Sequence, residues 1–151
     1  MKIFLSSDHA GFELKEQIKS YLISVGQEVE DCGAEKYVET DDYPDTISPG
    51  ITALTNYGID KGVGIIFGGS GQGEAIIANR YKGIRAGLYY GGNLDIVRLM
   101  REHNNANVLS LGARMIHFDE AKAAVDMFLE TNFTQEDRHV RRIAKIDLLK
   151  I

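Results

Sequence analysis

The run Val63-Gly64-Ile65-Ile66-Phe67-Gly68-Gly69-Ser70-Gly71-Gln72-Gly73-Glu74-Ala75-Ile76-Ile77-Ala78-Asn79 reads as strand, tight glycine loop and helix. Its opening apolar segment, bounded by glycines, suits a strand buried on both faces, and the Ala/Ile segment suits a helix. The loop then sits at a helix N-terminus, where the first backbone N–H groups lack intrahelical partners and favour an anion or a developing oxyanion. Glu74 falls in the first helical turn and has two readings. It is either an acid that complements the helix dipole, or a general base beside an oxyanion hole, the pair of groups that proton abstraction next to a carbonyl requires.

Spacing excludes two familiar alternatives. The phosphate-cradling loop of nucleoside triphosphatases ends in Gly-Lys-Ser or Gly-Lys-Thr, whereas Gly73 is followed by Glu74. A dinucleotide fingerprint needs Gly-x-Gly-x-x-Gly after the first strand, whereas Gly69, Gly71 and Gly73 alternate after the third.

Working outward, Lys2-Ile3-Phe4-Leu5-Ser6 reads as a first strand, and Leu14, Ile18, Leu22 and Val25 recur at helical spacing until Gly26. Between them lies Ser7-Asp8-His9-Ala10-Gly11, at the strand end where a parallel sheet carries its ligands; Asp8 also suits a helix N-cap. Glu28 to Cys32 reads as a second strand, followed by an acidic, solvated loop from Glu39 to Asp45. Ile47, Ile51 and Leu54 suggest a helix whose start is obscured by Pro49 and Gly50. Strands at Ile84–Tyr89 and Val108–Leu111 enclose a helix from Asn93 to Arg101, and helices follow over Ala121–Leu129 and Gln135–Leu149, the last with Ile143, Ile146 and Leu149 at core spacing. This alternation predicts an α/β fold with a doubly wound parallel sheet, one domain over residues 1–151.

With 44% hydrophobic and 26% charged residues the chain is globular, and its net charge of −5 argues against a nucleic-acid binder. The absence of a membrane-length apolar run or a leader-like N-terminus predicts no membrane contact and a cytoplasmic protein. A single cysteine, Cys32, excludes an internal disulfide and reads as a small hydrophobe at a strand end. Arg138, His139, Arg141, Arg142 and Lys145 gather near the C-terminus. They are either a solvated helix face or, since Arg138, Arg141 and Arg142 share one side, a clamp for an anionic group. His103, at a helix C-terminus beside Asn104, is by itself an ordinary dipole partner.

Taken together, Ser7-Asp8-His9-Ala10-Gly11, Asp42-Tyr43-Pro44, Gly68 to Glu74, Arg101-Glu102-His103-Asn104 and Arg138-His139-x-Arg141-Arg142 resemble the ribose-5-phosphate isomerase B family and its galactose-6-phosphate isomerase relatives, over about Lys2 to Ile146. The resemblance implies a Rossmann-like three-layer αβα sandwich with a mostly parallel sheet of about five strands. It implies an aldose–ketose isomerase without cofactor or metal, working as a homodimer or dimer of dimers with sites between subunits. Many members place a cysteine base at the start of the glycine loop; that position is Gly68 here, and Glu74 resembles the replacement used by another branch. The implied roles are Glu74 as base through a cis-enediolate, the backbone N–H groups from about Gly71 to Glu74 holding its oxygen, Gly69, Gly71, Gln72 and Gly73 binding substrate, and Ser70 moving protons between oxygens. His103 with Asp8 would open the sugar ring, Asn104 would hold hydroxyls or the enediolate, and His9, Arg114, Arg138, His139 and Arg142 would bind phosphate and hydroxyls, with Tyr43 against the sugar. The loop Tyr89-Tyr90-Gly91-Gly92-Asn93 is about two residues longer than the family pattern. Ribose 5-phosphate is therefore the leading substrate, with a four-carbon ketose phosphate, allose or galactose 6-phosphate, or a non-catalytic sugar-phosphate-binding subunit as alternatives.

Overall fold

The computed structural model describes residues 1–149. The described residues form β1 (Lys2–Ser7), α1 (Phe12–Ser24), β2 (Glu28–Asp31), α2 (Tyr43–Tyr57), β3 (Gly62–Gly68), α3 (Gln72–Ala78), β4 (Ala86–Tyr89), α4 (Asp95–Asn104), β5 (Val108–Gly112), α5 (Phe118–Glu130) and α6 (Asp137–Asp147). Every strand pairing is parallel, in the order β2-β1-β3-β5-β4. The glycine-bounded β3 is central and buried along its whole length, while the short edge strands β2 and β4 are only partly covered.

Strand side chains alternate between two cores, as the pleat requires. Ile3, Leu5, Ile65, Phe67, Leu109 and Leu111 pack with Leu14, Ile18, Val97, Val125 and Phe128 from α1, α4 and α5. Phe4, Ile66 and Val108 pack with Ile47, Ile51, Leu54 and Ala78 from α2 and α3. The expected αβα sandwich with a five-stranded parallel sheet is thus observed. A Cβ on Gly50 would overlap Ser6 Oγ, so glycine is what lets α2 lie close on β1.

Two helices differ from expectation. The acidic Tyr43-Pro44-Asp45 is the first turn of α2, and Pro49 lies inside it. Pro44 falls where no backbone donor is needed; Pro49 removes an interior one, at about 3 kcal/mol, offset by the complete burial of Ile47, Ile51 and Leu54. The C-terminal helix spans Asp137–Asp147 and lies outside both layers, with His139 its buried residue. Ile146 and Leu149 are therefore not core, and Val140, Ile146, Leu148 (79% accessible) and Leu149 are exposed. Their spacing reported an amphipathic helix, and periodicity does not say what covers the apolar face.

Cys32 is half-buried, its thiol pushed up to about 11 by burial and by Glu30, which suits an unreactive side chain. Among the described residues no helix is long and apolar enough to cross a membrane.

Candidate active site

The site begins where β3 runs into α3. Gly71 caps α3 in the left-handed region (φ 74°), its carbonyl accepting a 2.7 Å hydrogen bond from the buried Ser110 hydroxyl. Gly68 and Gly69 carbonyls accept from the N–H groups of Ala113 (2.8 Å) and Arg114 (3.0 Å), docking the turn after β5 onto the loop. Gly71 is thus tied to β5, and Gly68 and Gly69 to the turn that follows it.

Glu74 is only 4% accessible. Its carboxylate lies against the backbone of Gly68, where a Cβ would come within 3 Å of its carbon and both oxygens. Burial pushes the Glu74 carboxyl above the ordinary range, its own backbone N–H pulls the other way, and the nearby Asp8 charge raises it further. Asp8 is buried, accepts the Gly11 N–H at 2.9 Å, and donates its own N–H to Phe67 at 3.2 Å, tying the end of β1 to β3. Asp8 is therefore not the N-cap of α1, which is Gly11 with no side-chain cap; its carboxylate closes the turn before the helix, and its charge lies near enough to Glu74 to act on it.

Other residues expected at the site gather at this end of the sheet. The Ser70 hydroxyl accepts the Gln72 N–H at 3.3 Å. A Cβ on Gly73 would lie 2.8 Å from Tyr43 Cζ, so the tyrosine ring covers the loop. One on Gly69 would lie 3.4 Å from Arg114 Cδ and 3.5 Å from Ala10, next to His9. His9 Nδ1 is 2.6 Å from Asp41 Oδ1, which also accepts the His9 backbone N–H at 3.1 Å. The loop read as merely solvated therefore supplies a side chain to the site; a partner 32 residues away has no local sequence signal.

The long loop after β4 also borders this region. Glu120 Oε1 accepts the Tyr89 hydroxyl at 2.8 Å and the Gly92 N–H at 3.2 Å. Burial, then Glu120, pushes the Tyr89 hydroxyl up to about 12. A Cβ on Gly112 would lie 2.7 Å from Tyr90 Cβ and 2.8 Å from the Ser70 carbonyl, which puts Tyr90 beside the glycine loop.

His103, Asn104, Arg138, His139 and Arg142 are elsewhere. α4 runs antiparallel to the strands, so its C-terminus lies at their N-terminal ends, about 15 Å of helix away from its start. There Arg85 Nε donates to the carbonyls of Asn104 (3.1 Å) and Asn105 (3.0 Å). The linker into α6 is pinned to the same turn. Thr134 donates its N–H (3.2 Å) and hydroxyl (2.9 Å) to the Glu102 carbonyl, and Arg101 Nε donates to Thr131 at 3.1 Å. These anchors set the ring of His139 on that of His103, centroids 4.4 Å apart and 12° from parallel. Burial and then the Arg138 charge hold His139 below the ordinary histidine range, favouring a neutral ring. Arg138 Nε donates to Glu136 at 2.8 Å, and Arg142 is exposed. One chain therefore holds two groups of the expected residues at opposite ends of its sheet, the carboxylates with the glycine loop and the stacked histidines with the basic helix.

Known proteins share this arrangement of sequence and fold. The Ribose/Galactose Isomerase family model matches residues 3–146. The ribose-5-phosphate isomerase B of Mycobacterium tuberculosis is 44% identical over 144 residues, 95% of this chain and 86% of that protein. That of Mycolicibacterium paratuberculosis is 44% identical over 95% of this chain and 87% of its own. A ribose 5-phosphate isomerase structure from Thermotoga maritima matches with a TM-score of 0.89 at 46% identity, covering 98% of both chains. The Mycoplasma genitalium ribose-5-phosphate isomerase B with bound ribulose-5-phosphate matches with a TM-score of 0.90 at 38% identity, covering 97% of this chain and 93% of that one. Matched from β1 into α6, over residues 3–146, the chain belongs to the ribose/galactose isomerase family.

Proposed function

We propose that the protein interconverts ribose 5-phosphate and ribulose 5-phosphate, with Glu74 as the base. The observation that carries this reading is the buried Glu74 carboxylate seated on Gly68 at the mouth of the glycine loop. Burial keeps its proton affinity above that of an ordinary carboxylate, which suits a group that must both take and return a carbon-bound proton. In the aldose-to-ketose direction Glu74 removes the C2 proton as negative charge develops on O1. The N–H groups at the start of α3 stabilise that charge, the proton returns to C1, and the O2 proton passes to O1 with the help of Ser70. Ring opening beforehand falls to His103 with Asp8, Asn104 holds hydroxyls, and Arg114, His9, Arg138, His139 and Arg142 receive the phosphate and hydroxyls.

These roles need both half-sites in one place, so a second copy supplies His103, Asn104 and α6 to the Glu74 end of the first. The exposed apolar residues Val140, Ile146, Leu148 and Leu149 beside the basic cluster support such an interface. Tyr90 beside the glycine loop favours a second reading of the substrate, in which the longer loop shifts preference to a four- or six-carbon sugar phosphate. The experiment is turnover of ribose 5-phosphate, erythrulose 4-phosphate, allose 6-phosphate and galactose 6-phosphate by the protein and by Glu74→Gln. Ribose 5-phosphate turnover that vanishes in the variant is expected; wild-type turnover in Glu74→Gln removes Glu74 as base, and turnover of another sugar alone moves the substrate.

A further inference from the structure

Asp41 belongs to the acidic loop between β2 and α2, yet its side chain is only 11% accessible. Its Oδ1 accepts two hydrogen bonds from one residue, the His9 backbone N–H at 3.1 Å and ring Nδ1 at 2.6 Å. A carboxylate can only accept, so Nδ1 carries the proton. The ring is further braced by Tyr37, edge-on at 6.2 Å between centroids.

The loop that brings Asp41 in is built to hold its place. Lys15, completely buried on α1, donates to both carboxylate oxygens of Asp31 at 2.7 Å and to the carbonyls of Gly33 (2.8 Å) and Ala34 (3.0 Å). The first residues after β2 are thereby clamped, with Ala34 in the left-handed region at φ 47°. At the far end the loop runs into α2 through Asp45 N–H to the Asp42 carbonyl, 2.9 Å. Asp41 is suspended between two fixed points; its backbone N–H donates to the Val38 carbonyl at 3.1 Å, and in the described contacts its carboxylate grips His9 alone.

We propose that Asp41 is a positioning residue that locks His9 in the Nδ1–H tautomer and one ring orientation, leaving Nε2 to accept a hydrogen bond from a hydroxyl of the sugar phosphate. The proposal rests on the isomerase reading for its substrate but not for its geometry. Asp41 touches no reacting atom. Its removal frees the ring, so the cost falls on substrate binding rather than on the chemical step.

The test joins nitrogen-15 NMR of the His9 ring with steady-state kinetics on ribose 5-phosphate. In the ligand-free wild type His9 is expected as Nδ1–H, and in Asp41→Ala as the Nε2–H form. KM should rise about tenfold in Asp41→Ala while kcat changes by less than about threefold. Asp41→Asn, which keeps an acceptor oxygen, should retain the tautomer and recover most of the affinity. In a His9→Ala background, Asp41→Ala should add nothing, because the two act as one unit. A wild-type ring found as Nε2–H overturns the proposal without any variant, and so covers the case in which Asp41→Ala does not fold. So does an unchanged KM in Asp41→Ala, or an equal penalty with and without His9, which would make Asp41 a loop-holding residue. Failure of the wild type to turn over any sugar phosphate would instead remove the isomerase reading and leave the tautomer result to stand alone.

Discussion

Replacing Gly68 by alanine separates the function of the β3 end from its stability. The added methyl would come within 3 Å of the Glu74 carboxylate carbon and both its oxygens, whereas ordinary contact begins at 3.4 Å. The carboxylate must therefore retreat by about 1 Å or more, a misplacement of a reacting group that typically costs about 10²-fold, or roughly 2.7 kcal/mol of barrier. The fold should tolerate the change. Gly68 ends a strand with no left-handed backbone requirement, and what yields is the far end of a flexible side chain. Alanine also restores strand propensity, so stability should change by less than about 1 kcal/mol. The assays are kcat/KM on ribose 5-phosphate and urea denaturation of the same preparation. A variant with kcat/KM within about threefold of wild type would refute the reasoning, because the carboxylate position seen against Gly68 would then not be the working one. A large loss of stability would refute it differently, by showing that Gly68 serves the sheet.

Three further outcomes follow from the same geometry. Glu74 must be ionised to act as base, and burial raises its pKa, so activity should fall with decreasing pH along a limb lying above the ordinary glutamate value of about 4.3. By linkage, a carboxyl whose pKa rises on folding lowers stability as pH climbs from its unfolded to its folded value, so Glu74→Gln should be at least as stable as wild type at neutral pH in a thermal melt. For the proposed site between subunits, Glu74→Gln and His103→Ala subunits, each inactive, should recover about a quarter of wild-type activity when unfolded and refolded together, since random pairing would leave one intact site in each mixed dimer; no recovery would place both residues in the site of a single chain.

Much of this protein is legible locally. Short runs bounded by turn residues located the five strands, and the glycine loop put Glu74 in the first turn of α3, because strand runs, helix period and turn chemistry are properties of neighbouring residues. Burial of Ile47, Ile51 and Leu54 overrode the local signals of Pro44 and Pro49 that obscured the start of α2. Nothing local places β5 between β3 and β4, since each parallel strand carries the same apolar signature whatever its neighbours. Nor does spacing tell a helix that covers a sheet from α6, whose apolar residues stay exposed.

The site divides along the same line. Residue types and loop position singled out Glu74, Asp8 and the basic helix, because chemistry is carried by side chains that can be read one at a time. Tertiary structure alone seated Glu74 on Gly68, brought Asp41 to His9 across 32 residues, and stacked His103 on His139. It also set the two groups at opposite ends of the sheet, since a helix returning antiparallel to its strand carries its last turn away from the strand's end. Distances between remote segments come from how the layers pack, and that information is spread over the whole chain rather than held in any stretch of it.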